Sequence, residues 1–227
     1  VSSSIRETLI EGGLREEKVR VVYEGVELEW IDSLEAGSIE LETDGVVIGT
    51  VAHLSHEKGH GSLLLAVSRL KAEFPDARFF IAGDGEKKDE LEQLANRYGI
   101  SDRVIFAGFR TDCEALMKRF DIFCLPSLSE GLSSAIMAAM ANRLPVVSTR
   151  VGGIPELVTH NETGYLVSPD SPEELAEALA RLIRSGELRR KMGEAGRRRV
   201  ESRFTVALKQ SKTAAAYSEL LREKQIL

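Results

Sequence analysis

The feature that most constrains this chain is a regular alternation, from about Val46 to Val167, of short apolar runs with stretches of helical period. The runs are Val46–Val51, Ala77–Ala82, Val104–Ala107, Ile122–Leu125, Pro145–Ser148 and Tyr165–Val167. Most are apolar at consecutive positions, the pattern of strands covered on both faces. Between them the sequence predicts helices at 63–74, with Leu64, Val67 and Leu70 inward, and at 87–98, ended by Gly99. Further helices are expected at 114–120, 134–141 and 154–159, and three close the chain at about 171–185, 187–202 and 206–223. Ser171-Pro172-Glu173-Glu174 is a helix start, with Pro in the first turn and acids beside the positive end. Strand–helix alternation implies right-handed crossovers and an α/β, Rossmann-like, doubly wound parallel sheet.

The first 45 residues read differently. Residues 4–13 have helical period, and Val19–Tyr23 reads as a short β-branched strand. Residues 27–45, from Glu27-Leu28-Glu29-Trp30 to Thr43-Asp44-Gly45, are acidic without a clear period and read as a linker or surface excursion. The expected division is therefore 1–26, 27–45, a main domain at 46–205 and a final helix at 206–227. The start at Val1, without Met, reads as a cut inside a longer protein.

The net charge of −6 argues against a nucleic-acid partner, which favours a basic face. No apolar run approaches the ~20 residues of a bilayer span, so at most peripheral membrane contact is expected. Cys113 and Cys124 form no CxxC or Cys/His cluster, so neither a metal site nor a disulfide framework is expected, and the thiols fit a cytoplasmic protein.

Ligands of open α/β sheets bind beyond the carboxyl ends of the strands. The loops there carry suitable groups. Ala52-His53-Leu54-Ser55-His56-Glu57-Lys58-Gly59 places a cation and imidazoles at a helix start, an anion site; a solvated surface loop reads the same way. Gly83-Asp84-Gly85 permits close backbone approach to a ligand, or is a plain tight turn. Pro126 to Ser134 sets Glu130 and Gly131 before a helix with unpaired first amides, though Ser133 or Ser134 can simply be its cap. Val151-Gly152-Gly153-Ile154-Pro155-Glu156 is another glycine-rich helix start. Together the four loops favour a small, phosphate-bearing ligand.

In order along residues 46–205, the motifs resemble those of retaining family 4 glycosyltransferases, which have the GT-B fold. The resemblance rests on Glu57-Lys58-Gly59, Ala82-Gly83-Asp84-Gly85, Val104-Ile105-Phe106-Ala107-Gly108, Ser127 to Met137, Leu144 to Thr149, Val151 to Val158 and Gly164 to Val167. Val19 to Glu27 resembles the crossing between the two domains of such enzymes. The resemblance implies a C-terminal domain that binds a UDP- or GDP-sugar as substrate, with no further cofactor. Carried over by position, Lys58 contacts the diphosphate and Glu130 the transferred sugar, the two groups assigned to catalysis. The backbone of Gly131, Leu132 and Ser133 holds sugar or phosphate oxygens, and Phe109 and Arg110, with Gly83, lie near the base. No acidic metal cluster is visible, and no metal is needed if Lys58 and a helix dipole stabilise the leaving diphosphate.

The departures are specific. The second glutamate of the family's pair, which holds the ribose, is Ala138 here. Losing a hydrogen bond to a charged group costs about 1.5–3 kcal/mol, roughly ten- to hundredfold in affinity. The usual arginine of the first loop is His53, which titrates near neutrality. Arg143 replaces a usual small residue, and Glu24 the Asn before Gly25. The acceptor-binding domain, which usually supplies a catalytic histidine, is represented at most by residues 1–26. The expectation is a donor-binding domain, inactive alone, and the alternative is a non-catalytic nucleotide-sugar-binding or interaction module. Another GT-B enzyme, an epimerase or phosphorylase, shares the fold, but the cofactor-lysine pattern of a phosphorylase is not visible. The apolar side of the last helix, Leu208, Ala215, Leu220 and Leu221, either packs on its own domain or supports self-association.

Overall fold

The computed structural model describes residues 2–38 and 43–223. Six strands form one parallel sheet: β1 (Val47–Val51), β2 (Arg78–Ala82), β3 (Val104–Gly108), β4 (Ile122–Leu125), β5 (Val146–Thr149) and β6 (Gly164–Val167). Their order, β3-β2-β1-β4-β5-β6, runs outward in both directions from β1 and β4, so the crossovers diverge there and open a crevice at the carboxyl edge. Ten helices follow in chain order among the described residues: α1 (Ser3–Glu11), α2 (Leu28–Ser33), α3 (His60–Leu70), α4 (Lys88–Tyr98), α5 (Cys113–Met117), α6 (Ser134–Ala141), α7 (Ile154–Leu157), α8 (Pro172–Arg184), α9 (Gly186–Arg203) and α10 (Val206–Glu223).

Each sheet face has its own core. One joins Ile48, Phe79 and Ile81 to α3, α4 and α8 through Leu64, Leu91 and Leu179. The other joins Phe80, Phe123 and Val146 to α5, α6, α7 and α9 through Met117, Ile136, Leu157 and Val200. Every residue of β4, β5 and β6 is buried, which is why these strands carry no polar alternation. The doubly wound parallel sheet read from the sequence is the fold observed.

The first third differs from its reading in two places. Val19–Tyr23 forms no strand among the described residues; a single bridge pairs Val26 with Thr205 just beyond it. The acidic stretch read as a linker contains α2, which is fastened to the domain. Ile31 enters the core, and Asp32 receives two hydrogen bonds, of 2.7 and 2.8 Å, from the buried Arg197. Residues 39–42 of that stretch, like Val1 and residues 224–227, lie outside the described residues.

The N-terminal segment docks through polar contacts. The Glu156 carboxylate, at α7, accepts from the amides of Ser3 and Ser4 and, at 2.6 Å, from the Tyr23 hydroxyl. Residues 20–26 then lie along α10, through Arg20–Glu219 and Glu24–Lys209 pairs and Lys212 over the Tyr23 ring. On α10, Leu208 and Leu221 are half-buried, while Ala215, Tyr217 and Leu220 are exposed. No helix of the described residues is long and apolar enough to cross a membrane.

Candidate functional site

The loops that leave β1, β2, β3 and β4 line a crevice with two compartments, which share Val51, Ala52 and His53. The first, about 200 Å³, lies between the β1 loop and the start of α6 and is bounded by Lys58, Glu130, Leu132 and Ser133. The second, about 250 Å³, lies over β2 and β3 and is bounded by Gly83, Asp84, Phe109, Arg110 and Cys113.

Two charged groups meet in the first compartment. Lys58 Nζ stands 2.7 Å from Glu130 Oε2, with the side chains only 24% and 13% exposed. The fully buried Ser127 hydroxyl reaches the same carboxylate oxygen at 3.4 Å. Glu130 Oε1 has no hydrogen-bond or ion-pair partner among the described residues. Beside it α6 begins. Ser133 is its cap, its Oγ accepting from the Ile136 amide, while the amides of Ser134 and Ala135 have no acceptor among the described residues. The compartment thus presents an ammonium, a carboxylate and free amides at a positive helix end.

Backbone contacts fix this arrangement. Lys58 ends a single 3-10 turn, His56–Lys58, and the carbonyl of neighbouring Glu57 accepts from the Leu128 amide at 2.7 Å, bonding the β1 and β4 loops together. From the other side the loop after β5 presses on Glu130. Gly152 has φ +49°, and a β-carbon there would stand 1.7 Å from the Glu130 carbonyl oxygen; Gly153 donates its amide to Gly131 at 2.8 Å. Gly83 behaves alike, since a β-carbon there would fall 1.8 Å from the Ala52 carbonyl oxygen. Both glycine loops permit close backbone approach, and what approaches is neighbouring protein.

The second compartment is less charged and more open. Phe109 is 75% exposed, the most exposed large apolar residue among the described residues. Arg110 is held by a bidentate pair with Asp112, which keeps that carboxyl below the usual aspartate range. His53, between the compartments, is 3.2 Å from Glu86. Burial raises the Cys113 thiol, and Cys124, fully buried in β4, is raised further. No group of three or more His, Cys, Asp or Glu that could hold a metal ion occurs among the described residues.

The residues selected from the sequence therefore fall into three groups. His53, Lys58, Glu130, Leu132 and Ser133 line the first compartment, and His53, Gly83, Phe109 and Arg110 the second. Gly131 contributes to the brace from Gly153. Ala138 lies one turn further into α6, buried and lining neither compartment. Sequence reasoning did not single out Ser127 as a partner of Glu130, nor Glu86 opposite His53. A serine three residues before a glutamate and an acid beside a glycine turn are common enough to carry no signal.

The family model described as "Glycosyl transferases group 1" matches residues 34–199. The lipopolysaccharide core biosynthesis glycosyltransferase LpsE of Rhizobium meliloti is 28% identical over 207 residues, covering 91% of this chain and 58% of the relative. The N-acetyl-alpha-D-glucosaminyl L-malate synthase of Bacillus anthracis is 34% identical over 148 residues, 65% of this chain and 39% of its own. The chain thus spans about half the length of these curated relatives. Anabaena HepE, solved in complex with UDP and glucose, superposes with a TM-score of 0.87 at 28% identity, covering 96% of this chain and 61% of HepE. The C-terminal domain of the group 1 glycosyltransferase LpcC from Francisella tularensis is 25% identical with a TM-score of 0.66, covering 82% of this chain and 97% of the domain.

Proposed function

The chain belongs to the glycosyl transferases group 1 family, and from that premise we propose that it is the C-terminal, donor-binding domain of a retaining glycosyltransferase that uses a nucleoside-diphosphate sugar. The observation that carries this reading is the first compartment, where Lys58, Glu130 and the free amides of α6 converge. Transfer breaks the bond between the anomeric carbon and the β-phosphate oxygen, and negative charge collects on the departing diphosphate. A fixed ammonium and helix-end amides stabilise that charge where it develops. Glu130 Oε1 is free to accept from sugar hydroxyls. The base occupies the second compartment, where the exposed Phe109 ring offers a stacking face. LpcC, whose C-terminal domain is matched nearly end to end, supports the C-terminal placement, and HepE, solved with UDP, supports a nucleotide ligand. The acceptor, and transfer itself, belong to the longer protein that this reading implies, and the chain alone binds donor without turning it over. The free thiols of Cys113 and Cys124 fit a cytoplasmic location.

Calorimetric titration of the chain with UDP, GDP, UDP-glucose and GDP-mannose tests this. Binding of at least one pair is expected, weakened about tenfold or more by Lys58→Met, which removes a charge-assisted contact. A chain that binds none of the four is not a donor domain.

A second reading, a non-catalytic module, draws on Ala138, which offers the ribose no acceptor. If the ribose is ungripped, UDP and 2′-deoxy-UDP bind within about twofold of each other, since no hydrogen bond is lost on deoxygenation. Strong discrimination between them would place a ribose acceptor elsewhere in the crevice and remove the ground for this second reading.

A further inference from the structure

The Lys58–Glu130 contact has a consequence for which ligand the crevice keeps. Resting on the donor-binding reading, we propose that Glu130 sets the preference of the site for the intact nucleotide sugar over the spent nucleoside diphosphate, by reclaiming Lys58 once the sugar has left.

The pair is closed at 2.7 Å, and both side chains are largely shielded from solvent. Closing it needs no loop motion, because the two loops are already bonded through Glu57 and Leu128 and the Glu130 backbone is braced by Gly152 and Gly153. Glu130 therefore has few alternatives. Its Oε2 has Lys58 and the weak Ser127 contact, and its Oε1 has no partner. A diphosphate that arrives alone meets a lysine already half neutralised and a carboxylate of its own sign. It brings Glu130 no donor in exchange, so drawing Lys58 away leaves a shielded carboxylate short of hydrogen bonds, which is costly. An intact nucleotide sugar brings hydroxyl donors to the same carboxylate, so Lys58 can turn to the phosphates with little loss. The pair thus acts as a partner exchange. It opens when phosphate and sugar are both present, and it re-forms when the sugar goes, loosening the product.

Two effects both make Glu130→Gln favour a nucleoside diphosphate: removal of like charge, and release of Lys58. Only the second passes through Lys58. The test is therefore a double-mutant cycle on the full chain, by calorimetry, with UDP and UDP-glucose, or GDP and GDP-mannose if the wild-type chain prefers guanine. Glu130→Gln is expected to bind UDP about fivefold tighter and UDP-glucose about fivefold weaker, inverting the preference. Glu130→Ala should move both in the same directions, and unchanged melting temperatures show that the variants fold. In a Lys58→Met background, Glu130→Gln should change UDP affinity less than about twofold. Unchanged or weaker UDP binding by Glu130→Gln overturns the proposal, as does an equal gain in the Lys58→Met background; either result leaves donor binding itself intact. A wild-type chain that binds neither nucleotide overturns the donor-binding reading and this inference with it.

Discussion

At the residue scale, two side chains sit where their chemistry is costly, and each gives a measurable effect. Arg143, between α6 and β5, has φ +58°, in the left-handed region that costs a side chain roughly 1 kcal/mol and costs glycine nothing. Its exposed pairs with Asp32 and Glu194, at 3.9 and 3.3 Å, offset little of that. Arg143→Gly should therefore stabilise the chain by about 0.5–1 kcal/mol, read as a rise of a few degrees in melting temperature. His60, at the start of α3, is 2% exposed with both ring nitrogens unpartnered. Burial pushes its pKa down to about 4, and the charge of Lys58 and of His53 acts in the same direction. The unfolded chain thus binds this proton more readily than the folded one, so stability is greatest above pH 6.5 and falls as pH drops from there towards 4. Unfolding free energies from urea titrations at pH 7.5 and pH 5 should differ by about 2 kcal/mol more for the wild type than for His60→Gln. Lys58 and Glu130 were legible in the sequence because each stands in a motif beside a helix start. Their direct pairing was not, since 72 residues separate them and only the β1–β4 adjacency brings them together.

At the element scale, the strands and longer helices were legible for a physical reason. A strand buried on both faces is apolar at nearly every position, and in β4 to β6 the buried polar exceptions, Ser148 and Thr149, bond the carbonyls of Leu125 and Ser127. Where local composition and tertiary partners disagree, partners decide. Val19–Tyr23 has β-branched residues and forms no strand, whereas α2 has only six residues, an acidic surface and one buried isoleucine, too little to show a period. What fixes α2 is Arg197, buried in α9, which bonds Asp32 twice, Glu201 once and the Ala141 carbonyl once. Hydrogen bonding to Arg197 lowers the Asp32 carboxyl below its ordinary value. Arg197→Ala should cost about 2–3 kcal/mol, by leaving the Ala141 carbonyl and Asp32 without their donor, and should open residues 28–33 to proteolysis. The docking of α1 has its own pH dependence. Burial alone would raise the Glu156 carboxyl, but the donors from Tyr23, Ser3 and Ser4 outweigh it and the net shift is downward. A carboxylate lowered in the folded state contributes stability above its ordinary value, 4.5, and loses it as pH falls through the lower folded one. Protection of the Ser3 and Ser4 amides from exchange should disappear over that acid range, and Glu156→Gln should remove the dependence.

At the scale of the whole molecule, the sheet and the peripheral helices differ in how they are held. The sheet is covered on both faces, whereas α1 buries none of its residues and the segment 19–26 meets α10 through two exposed ion pairs, Lys212 over the Tyr23 ring and a backbone bond from Val206 to Val26. Surface pairs contribute little each, so these parts should open locally far more readily than the sheet. Hydrogen exchange read by mass spectrometry should find residues 3–26 and 206–222 exchanging well before β1 and β4; uniform protection would contradict this division. The doubly wound sheet and the carboxyl edge as the place for ligands were legible from the alternation, whereas the strand order and its reversal at β1 and β4 were not, because alternation does not say which strands lie side by side. The bracing role of the loop after β5 was not legible either, because Val151 to Glu156 reads from the sequence only as a glycine-rich helix start. That brace has two ends. Gly152 and Gly153 bear on Glu130 and Gly131, and four residues of chain away Glu156 holds the amides of α1. Occupancy at one end and order at the other are thus written into the same short span of backbone. Linkage is reciprocal: if seating α1 shifts the affinity of the crevice by some factor, filling the crevice shifts the seating of α1 by the same factor. Where that factor differs from one, the N-terminal helix is a remote reporter, and a fluorophore placed on its exposed face would register a ligand it never touches.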